Sequence, residues 1–569
     1  FIQAEVIGID SSEKRIVLKD RPALGYDLLS LNVGAIPEVE LSGALPVKPI
    51  SVFLATLKYL DLNVRSGSTL TIVGSGAAGV ELSLSFSARY SQRLKIKLIG
   101  NELLGGDDSS VSRKVQAELC SKNINFSKNK VIGFSKGMIS LEDGSAAESD
   151  FVVQATGVVA PTWISSSGLD VDKRGFLKVN HHLQSISNRF IFAAGDVACL
   201  EGQERPKSGV FAVRAGKVLA RNLFLALANK KLKIYRAQKQ QLALINCCDG
   251  SAIAIRGGLA LKGKIWWLYK DFVDRSFMKR FTDLALMNSI NLKIPDEYKD
   301  EIPAHAMRCN GCGAKLAADP LKRVLCRIDV LDSREVELGI GDDAARIKIS
   351  NEKLLITVDG FRSLVSDPYL FGRIAAHHSL NDIFAMGAVP KVALCLATIP
   401  YMSEKLMEED LFQLLSGVND VLKEHGVALV GGHTAEGAET SLGLTVTGAA
   451  DSKSLEKNGA SEGDILLLTK SIGSGVILAG AAAGISSPGS INHCFGQMDR
   501  SNSEGMHVFL ENGASAMTDV TGYGLIGHLS EMLRASSCGA TVNVDSVGLM
   551  KGSELLIDRG IESSLQKSN

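Results

Sequence analysis

Cys312 stands three residues before Lys315 in MRCNGCGAKLA (307–317). The thiolate is the useful nucleophile of a cysteine, and a nearby cation lowers the thiol pKa. Lys315 can supply that charge or bind a transferred phosphate. Cys309 and Cys312 form a CxxC, which is also half of a zinc site, but no second CxxC or spaced His pair follows. Downstream, carboxylates recur at the ends of apolar runs: Asp342 and Asp343 in LGIGDDAARI (338–347), Asp359 closing a strand in LLITVDGF (354–361), Asp382 within a short helical segment in HHSLNDIFAMGAVP (377–390), and Asp519 in SAMTDVTGYGLIGHL (515–529). Mg²⁺ prefers oxygen ligands and is commonly shared between carboxylates and nucleotide phosphates, where it neutralises charge and orients phosphoryl groups. Any one of these aspartates alone reads equally as a cap or turn residue; together they point to a polyphosphate site.

A different chemistry is written into TLTIVGSGAAGVELSLSFSARY (69–90), an apolar β-branched run, a glycine turn and a helical spacing. Gly74 permits the tight turn, Gly76 lets backbone approach a pyrophosphate, and Gly79 lets helix pack on strand. The phosphate then sits at the helix N-terminus. The competing reading is an ordinary tight turn of an α/β fold. The next strand, LKIKLIG (94–100), ends in Gly100 and Asn101 with Glu102 beyond. The acid that takes the ribose of NAD is displaced or missing, which leaves NADH and NADPH both open.

FVVQATG (151–157) and RFIFAAGDVACL (189–200), with YDLLSLNVGAIP (26–37) upstream, resemble the flavoprotein reductases with two dinucleotide folds, especially type II NADH dehydrogenases. The resemblance covers about residues 1–225 and implies FAD and NAD(P)H as cofactors. It places Gly195 and Asp196 at the ribityl-phosphate region of the flavin, and makes Ala155-Thr156-Gly157 the return from the nicotinamide domain. The plainer reading of Asp196 is a turn residue after a buried strand. Asn-Val-Gly at 32–34 departs from the family's Ala-Thr-Gly. No glycine fingerprint precedes Gly74 and no CxxxxC dithiol is present. The chain also opens at Phe1 without Met, so a fragment is expected, with FAD binding a property of the complete protein.

From 307 onward the chain is similar to the selenophosphate synthetases (selenide, water dikinases). Gly-Cys-Gly-x-Lys is their catalytic segment, with Cys or selenocysteine at the position of Cys312; some members have a second Cys where Ala314 stands here. The resemblance implies Cys312 as nucleophile or selenium handler and Lys315 as its electrostatic and ATP-binding partner. It makes Asp343, Asp382 and Asp519 metal ligands, and puts Asp359, Asp382, Gly431, Gly432 and His433 (in ALVGGHT) at ATP. His433 reads equally as a structural histidine. The implied reaction takes selenide, ATP and water to selenophosphate, phosphate and AMP. The implied fold is that of aminoimidazole ribonucleotide synthetases, dimeric through the ATP-binding domain. Family members continue past the region of Gly560, so a truncated C-terminal domain is expected.

These motifs require an α/β and α+β multidomain chain. Residues 1–66 and 151–235 are expected to form an incomplete FAD-binding domain, 67–150 an NAD(P)-binding domain and 236–292 the oxidoreductase C-terminal region. A linker at 293–306 contains the Pro- and charge-rich KIPDEYKDEIPAH. An ATP-binding domain (307–460) and the C-terminal domain (461–569) follow. At 569 residues several domains are needed. Formal net charge is zero, which gives no electrostatic footprint for nucleic acid. Ten irregularly spaced cysteines form no disulfide framework, and a reducing, cytoplasmic setting is expected. No run has the length and apolarity of a membrane span. KIWWLYKDFVDRSFMKRF (264–281) reads first as an amphipathic helix packed on its own domain and second as an interfacial membrane helix. Two rival functions stand beside the dikinase: another branch of the same ATP-binding superfamily, which the Cys-Lys segment argues against, and a non-catalytic scaffold or membrane-bound redox module, which the intact acidic set argues against.

Overall fold

A computed structural model describes residues 2–38, 41–48, 50–203, 207–238, 240, 242–282, 336–338, 344–349, 352–449 and 454–563. Cys309, Cys312, Lys315, Asp342, Asp343 and the expected linker at 293–306 lie outside the described residues. The chain divides into two compact units, Glu5–Ile290 and, for the most part, Asn291–Asn569.

In the first unit, five parallel strands form one sheet: β1 (Leu45–Pro46), β2 (Ser68–Val73), β3 (Leu94–Gly100), β4 (Asn125–Lys128) and β5 (Phe151–Gln154), in the order β1-β5-β2-β3-β4. Parallel strands are covered on both faces and read as continuous apolar runs. Accordingly Leu70, Ile72 and Val73 of β2 and Ile96, Leu98 and Ile99 of β3 are all buried. α1 (Ala77–Tyr90) makes the β2-to-β3 crossover and buries Val80, Leu84 and Phe86 in the same core. α2 (Ser110–Ser121) starts where the Ser109 hydroxyl accepts the Ser112 N–H at 2.9 Å, an N-cap of the ordinary kind.

A separate core, built on Ile164, Phe176, Phe192 and Val197, holds the rest of this unit together. There Leu29–Leu31 pairs in parallel with Ile191–Ala193, the strand that leads into Gly195-Asp196, and α3 (Gly209–Leu227) packs alongside. A three-stranded antiparallel sheet (Ala243–Asn246, Ala252–Arg256, Leu259–Gly263) then supports α4 (Lys264–Thr282). α4 does rest on its own domain, on the side carrying half-buried Trp266, Trp267 and Lys270, yet none of its residues is fully buried. Ile265, Leu268, Tyr269 and Phe272 form an exposed apolar stripe. No described helix is long and apolar enough to cross a membrane.

In the second unit a six-stranded sheet comprises β6 (Val336–Leu338), β7 (Ala345–Ile349), β8 (Glu352–Arg362), β9 (Val389–Pro400), β10 (Ala428–Gly437) and β11 (Ser441–Ala449), ordered β6-β7-β8-β11-β9-β10. Its neighbours are antiparallel except β9 with β10. Alternation runs along β11 and along β9 after a register shift between Pro390 and Val392: Ala393, Cys395, Ala397, Leu442, Leu444 and Val446 are buried under α5 (Pro368–Ala385) and α6 (Glu404–Glu424). The opposite face leaves Val358, Leu394, Leu396 and Val430 exposed. α5 and α6 cross at two glycines. A Cβ on Gly372 would lie 2.1 Å from the Leu414 carbonyl oxygen, and one on Gly417 2.1 Å from that of Tyr369.

Two local expectations are corrected here. Asp359 does not end its strand, because β8 runs on to Arg362. Gly360 faces Gly443 across the ladder, where a Cβ would come 2.6 Å from the Gly443 Cα, so this glycine permits close strand pairing and does not break the strand. Asp382 lies in an 18-residue helix, not a short one. Asp367 and Pro368 start that helix, the Asp367 carboxylate accepting the Tyr369 N–H at 3.1 Å. Beyond the sheet, α7 (Ser474–Ala482) occupies the Gly- and Ala-rich stretch and buries Val476, Ile477 and Leu478. α8 (Pro488–Met498), α9 (Ser503–Glu511) and α10 (Gly524–Ser536) follow.

Candidate functional site

The glycine turn between β2 and α1 has the form that dinucleotide binding needs. Gly74 has φ +114°, and a Cβ there would fall 2.2 Å from the Ala155 carbonyl oxygen. A Cβ on Gly79 would fall 1.7 Å from the Gly74 carbonyl oxygen. Gly76, by contrast, has nothing within 4 Å of its Cβ position. It precedes α1 without any side-chain cap, so the first-turn N–H groups face an open approach.

Gly195 has φ +80°, and the Asp196 carboxylate takes an ion pair from Lys48 at 3.1 Å. Both residues line a cavity together with Arg174, Lys207, Phe211 and Tyr235. The Lys207 ammonium donates to the Ala198 carbonyl at 2.9 Å and lies 3.6 Å from the centre of the Phe176 ring. Burial holds it below the ordinary lysine range. A cavity with cations around an acid at a strand end suits a phosphate-bearing cofactor such as FAD.

In the second unit, β8 and α5 present two matched rungs. Thr357 and Asp359, two apart on the strand, share one face; His378 and Asp382, four apart on the helix, share another. The Thr357 hydroxyl donates to Asp382 Oδ2 at 2.5 Å. His378 Nε2 lies 2.6 Å from Asp359 Oδ2, while Asp359 Oδ1 accepts the Gly360 N–H at 2.8 Å. The structure thus brings Asp359 and Asp382 to one strand–helix contact. Asp519 is separate in sequence and buried, and its Oδ2 has no hydrogen-bond partner among the described residues. An unpaired buried carboxylate oxygen is costly, and an oxygen-seeking divalent cation would relieve that cost. A carboxylate oxygen of this kind is the donor that Mg²⁺ prefers. Among the described residues no three His, Cys, Asp or Glu side chains gather closely enough to hold a metal, and Asp343 lies outside them.

Gly431, Gly432 and His433 lie on the exposed edge strand β10, paired with Leu394, Cys395 and Leu396. A Cβ on Gly432 would meet the Cys395 carbonyl oxygen at 2.0 Å, so strand pairing alone requires that glycine. Arg373 ties α5 to the region after α8 through Asp499 at 2.8 Å, and to α6 through Glu424 at 3.0 Å. Buried His377 lies 3.6 Å from the same Asp499. Thr357, Arg373, His377 and His378 were not singled out by motif; the i, i+4 spacing of His378 and Asp382 was the available signal for one of them.

The class defined by this architecture is an AIR synthase-related domain pair behind a pyridine-nucleotide oxidoreductase region. Residues 1–216 match the model of pyridine nucleotide-disulphide oxidoreductases. Residues 341–450 match the N-terminal domain of AIR synthase related proteins, and 461–559 the C-terminal domain. A selenide, water dikinase of Treponema denticola is 39% identical over 246 residues, covering 42% of this chain and 68% of the relative. That of Carboxydothermus hydrogenoformans is 38% identical (43% and 71%), and that of Myxococcus xanthus 36% identical (46% and 75%). The chain belongs to the selenide, water dikinase family, and is an enzyme of that family with a fused oxidoreductase region. Among solved structures, the sulfide:quinone oxidoreductase of Aquifex aeolicus matches with TM-score 0.42 at 15% identity, covering 49% of this chain and 75% of that one. A putidaredoxin reductase–putidaredoxin complex matches with TM-score 0.36 at 20% identity, covering 45% and 63%.

Proposed function

We propose that the C-terminal half converts selenide, ATP and water to selenophosphate, orthophosphate and AMP. Family membership supports this reading. The observation that carries it is the pairing of Asp359 with His378 and of Asp382 with Thr357 at one strand–helix contact. Asp343, Asp382 and Asp519 hold divalent cations, with Asp519 Oδ2 meeting no hydrogen-bond donor among the described residues. Bound Mg²⁺ supplies charge neutralisation for the phosphates. Thr357 fixes the Asp382 carboxylate, and His378 fixes Asp359 toward the nucleotide, with Gly431, Gly432 and His433 as further nucleotide contacts. Cys312 receives or presents selenium, and Lys315 holds its thiolate and the transferred phosphate. The uncovered apolar face bearing Val358, Leu394, Leu396 and Val430 supports a homodimer through this sheet. Leu396→Glu is expected to shift sedimentation from dimer to monomer.

The N-terminal half binds FAD beside Gly195 and Asp196 and a nicotinamide nucleotide at Gly74, Gly76 and Gly79. We place its role in supplying reduced selenium: Gly195 and Asp196 would hold the flavin and Gly74, Gly76 and Gly79 the nicotinamide nucleotide, which together would supply the two electrons that take elemental selenium and a proton to hydrogen selenide anion, with NAD(P)H oxidised to NAD(P)⁺. Equal selenophosphate yields from elemental selenium with and without reduced nicotinamide would remove that role.

The deciding experiment supplies a complete protein with selenide, Mg²⁺ and ATP under anaerobic conditions, followed by phosphorus NMR. Selenophosphate and AMP from the wild type, with no selenophosphate from Cys312→Ser, is the expected result. ADP as the sole nucleotide product, indifferent to selenide, would return the chain to the wider ATP-binding superfamily.

A further inference from the structure

The loop that follows β3 is bound back onto the glycine turn. In a dinucleotide fold the adenosine ribose is read at the carboxyl end of the strand after the fingerprint helix. Here that position is Gly100. A Cβ at Gly100 would lie 2.1 Å from Ser75 Oγ and 2.8 Å from Ser75 N, so no acidic side chain can stand there. The Ser75 hydroxyl, between the first two fingerprint glycines, instead donates to the Glu102 carbonyl at 2.6 Å. The Leu104 N–H donates to the Ser75 carbonyl at 3.0 Å. Two hydrogen bonds, one to the Glu102 carbonyl and one from the Leu104 N–H, therefore hold the backbone of residues 102–104 against the turn that would receive the pyrophosphate. Glu102 Oε1 in turn accepts the Asp107 N–H at 3.0 Å and shapes the rest of the loop.

Charge is one-sided in this loop. Residues 100–112 contain Glu102, Asp107 and Asp108 and no Lys or Arg. Of the nearby cations, Lys128 is paired with Asp107, Lys130 with Glu142 at 3.1 Å, and the Arg113 Nε turns back to the Ser109 carbonyl. A ribose 2′-hydroxyl can donate to a carboxylate. A 2′-phosphate brings two negative charges and no donor, and like charges at short range repel.

Resting on the reading of residues 69–90 as a dinucleotide site, we propose that this site selects NADH over NADPH, with Glu102 as the residue that discriminates. The displaced acid of the sequence is thus a relocated one, set two residues later because Ser75 fills the space beside Gly100.

The test is equilibrium titration calorimetry of the full chain with NADH and with NADPH. Wild type is expected to bind NADH at least about tenfold more tightly. Glu102→Gln keeps an oxygen to accept the Asp107 N–H and removes the charge, and is expected to reduce that preference about tenfold. Asp108→Asn, at an exposed residue with φ +55° that Asn tolerates, should reduce it by a smaller factor. Equal or tighter NADPH binding by wild type, or an unmoved ratio in Glu102→Gln that still binds NADH, would overturn the selectivity proposal alone. Failure of wild type to bind either nucleotide would overturn the dinucleotide reading beneath it as well.

Discussion

His378 Nε2 lies 2.6 Å from Asp359 Oδ2, both side chains nearly enclosed between β8 and α5. Asp359 Oδ1 is already engaged by the Gly360 N–H. One oxygen is therefore engaged by backbone, and the other lies against the imidazole of a helix residue one turn before Asp382. An imidazole this close to a carboxylate interacts with it electrostatically. His378→Ala is expected to raise the KM for ATP by about tenfold with a smaller change in kcat, read as AMP release. Unchanged KM would show that Asp359 keeps its place without the imidazole.

Thr357 does the corresponding work for Asp382, donating at 2.5 Å. Groups that orient a metal-ligating carboxylate typically change metal affinity about 10–100-fold when removed. Thr357→Val, close in shape but lacking the hydroxyl, is expected to raise the Mg²⁺ concentration for half-maximal activity by about tenfold. Thr357→Ser should restore it. Loss of activity in both variants at saturating Mg²⁺ would point to packing instead.

How legible this was depended on whether the signal was local. The glycine fingerprint at Gly74, Gly76 and Gly79 announces itself because turn, approach and packing are all settled within one short stretch. Asp359 and Asp382 were legible as carboxylates, but not as neighbours: their proximity depends on β8 lying beneath α5, which long-range packing decides. Asp359 reads as a strand end in the sequence, and only the Gly443 facing Gly360 reveals the following glycine as a close-pairing position within a longer strand. Arg373–Asp499 spans residues far apart in sequence, which no motif connects.

The crossing of α5 and α6 makes a stability prediction. Gly372 and Gly417 let each helix backbone approach the other's carbonyls, with a Cβ on either falling 2.1 Å from an oxygen. Overpacking of a close-packed contact costs about 1–3 kcal/mol. Gly372→Ala is expected to lower the urea midpoint accordingly, although Ala is the better helix former by about 1 kcal/mol. A stabilised variant would mean that the helices separate at no cost and that this glycine pair does not set their spacing.

His377 gives a pH dependence whose sign follows from its surroundings. It is 2% exposed on α5; burial first, then the charge of Arg373, lowers its pKa to about 3. The ordinary value is 6.5, so between these limits the unfolded chain binds a proton that the folded chain refuses. Stability is present in full above about pH 6.5 and is lost as pH falls through that value. At pH 5.5 the loss from this group is on the order of 1 kcal/mol. Burial of His425, whose ring lies 5.9 Å away, works in the same direction. Burial instead raises the Asp499 pKa, so its uptake of a proton at lower pH offsets part of the loss. Urea midpoints of wild type are expected to fall between pH 7.5 and 5.5, and His377→Asn should flatten that fall. An equal pH slope in the variant would assign the acid sensitivity to other groups.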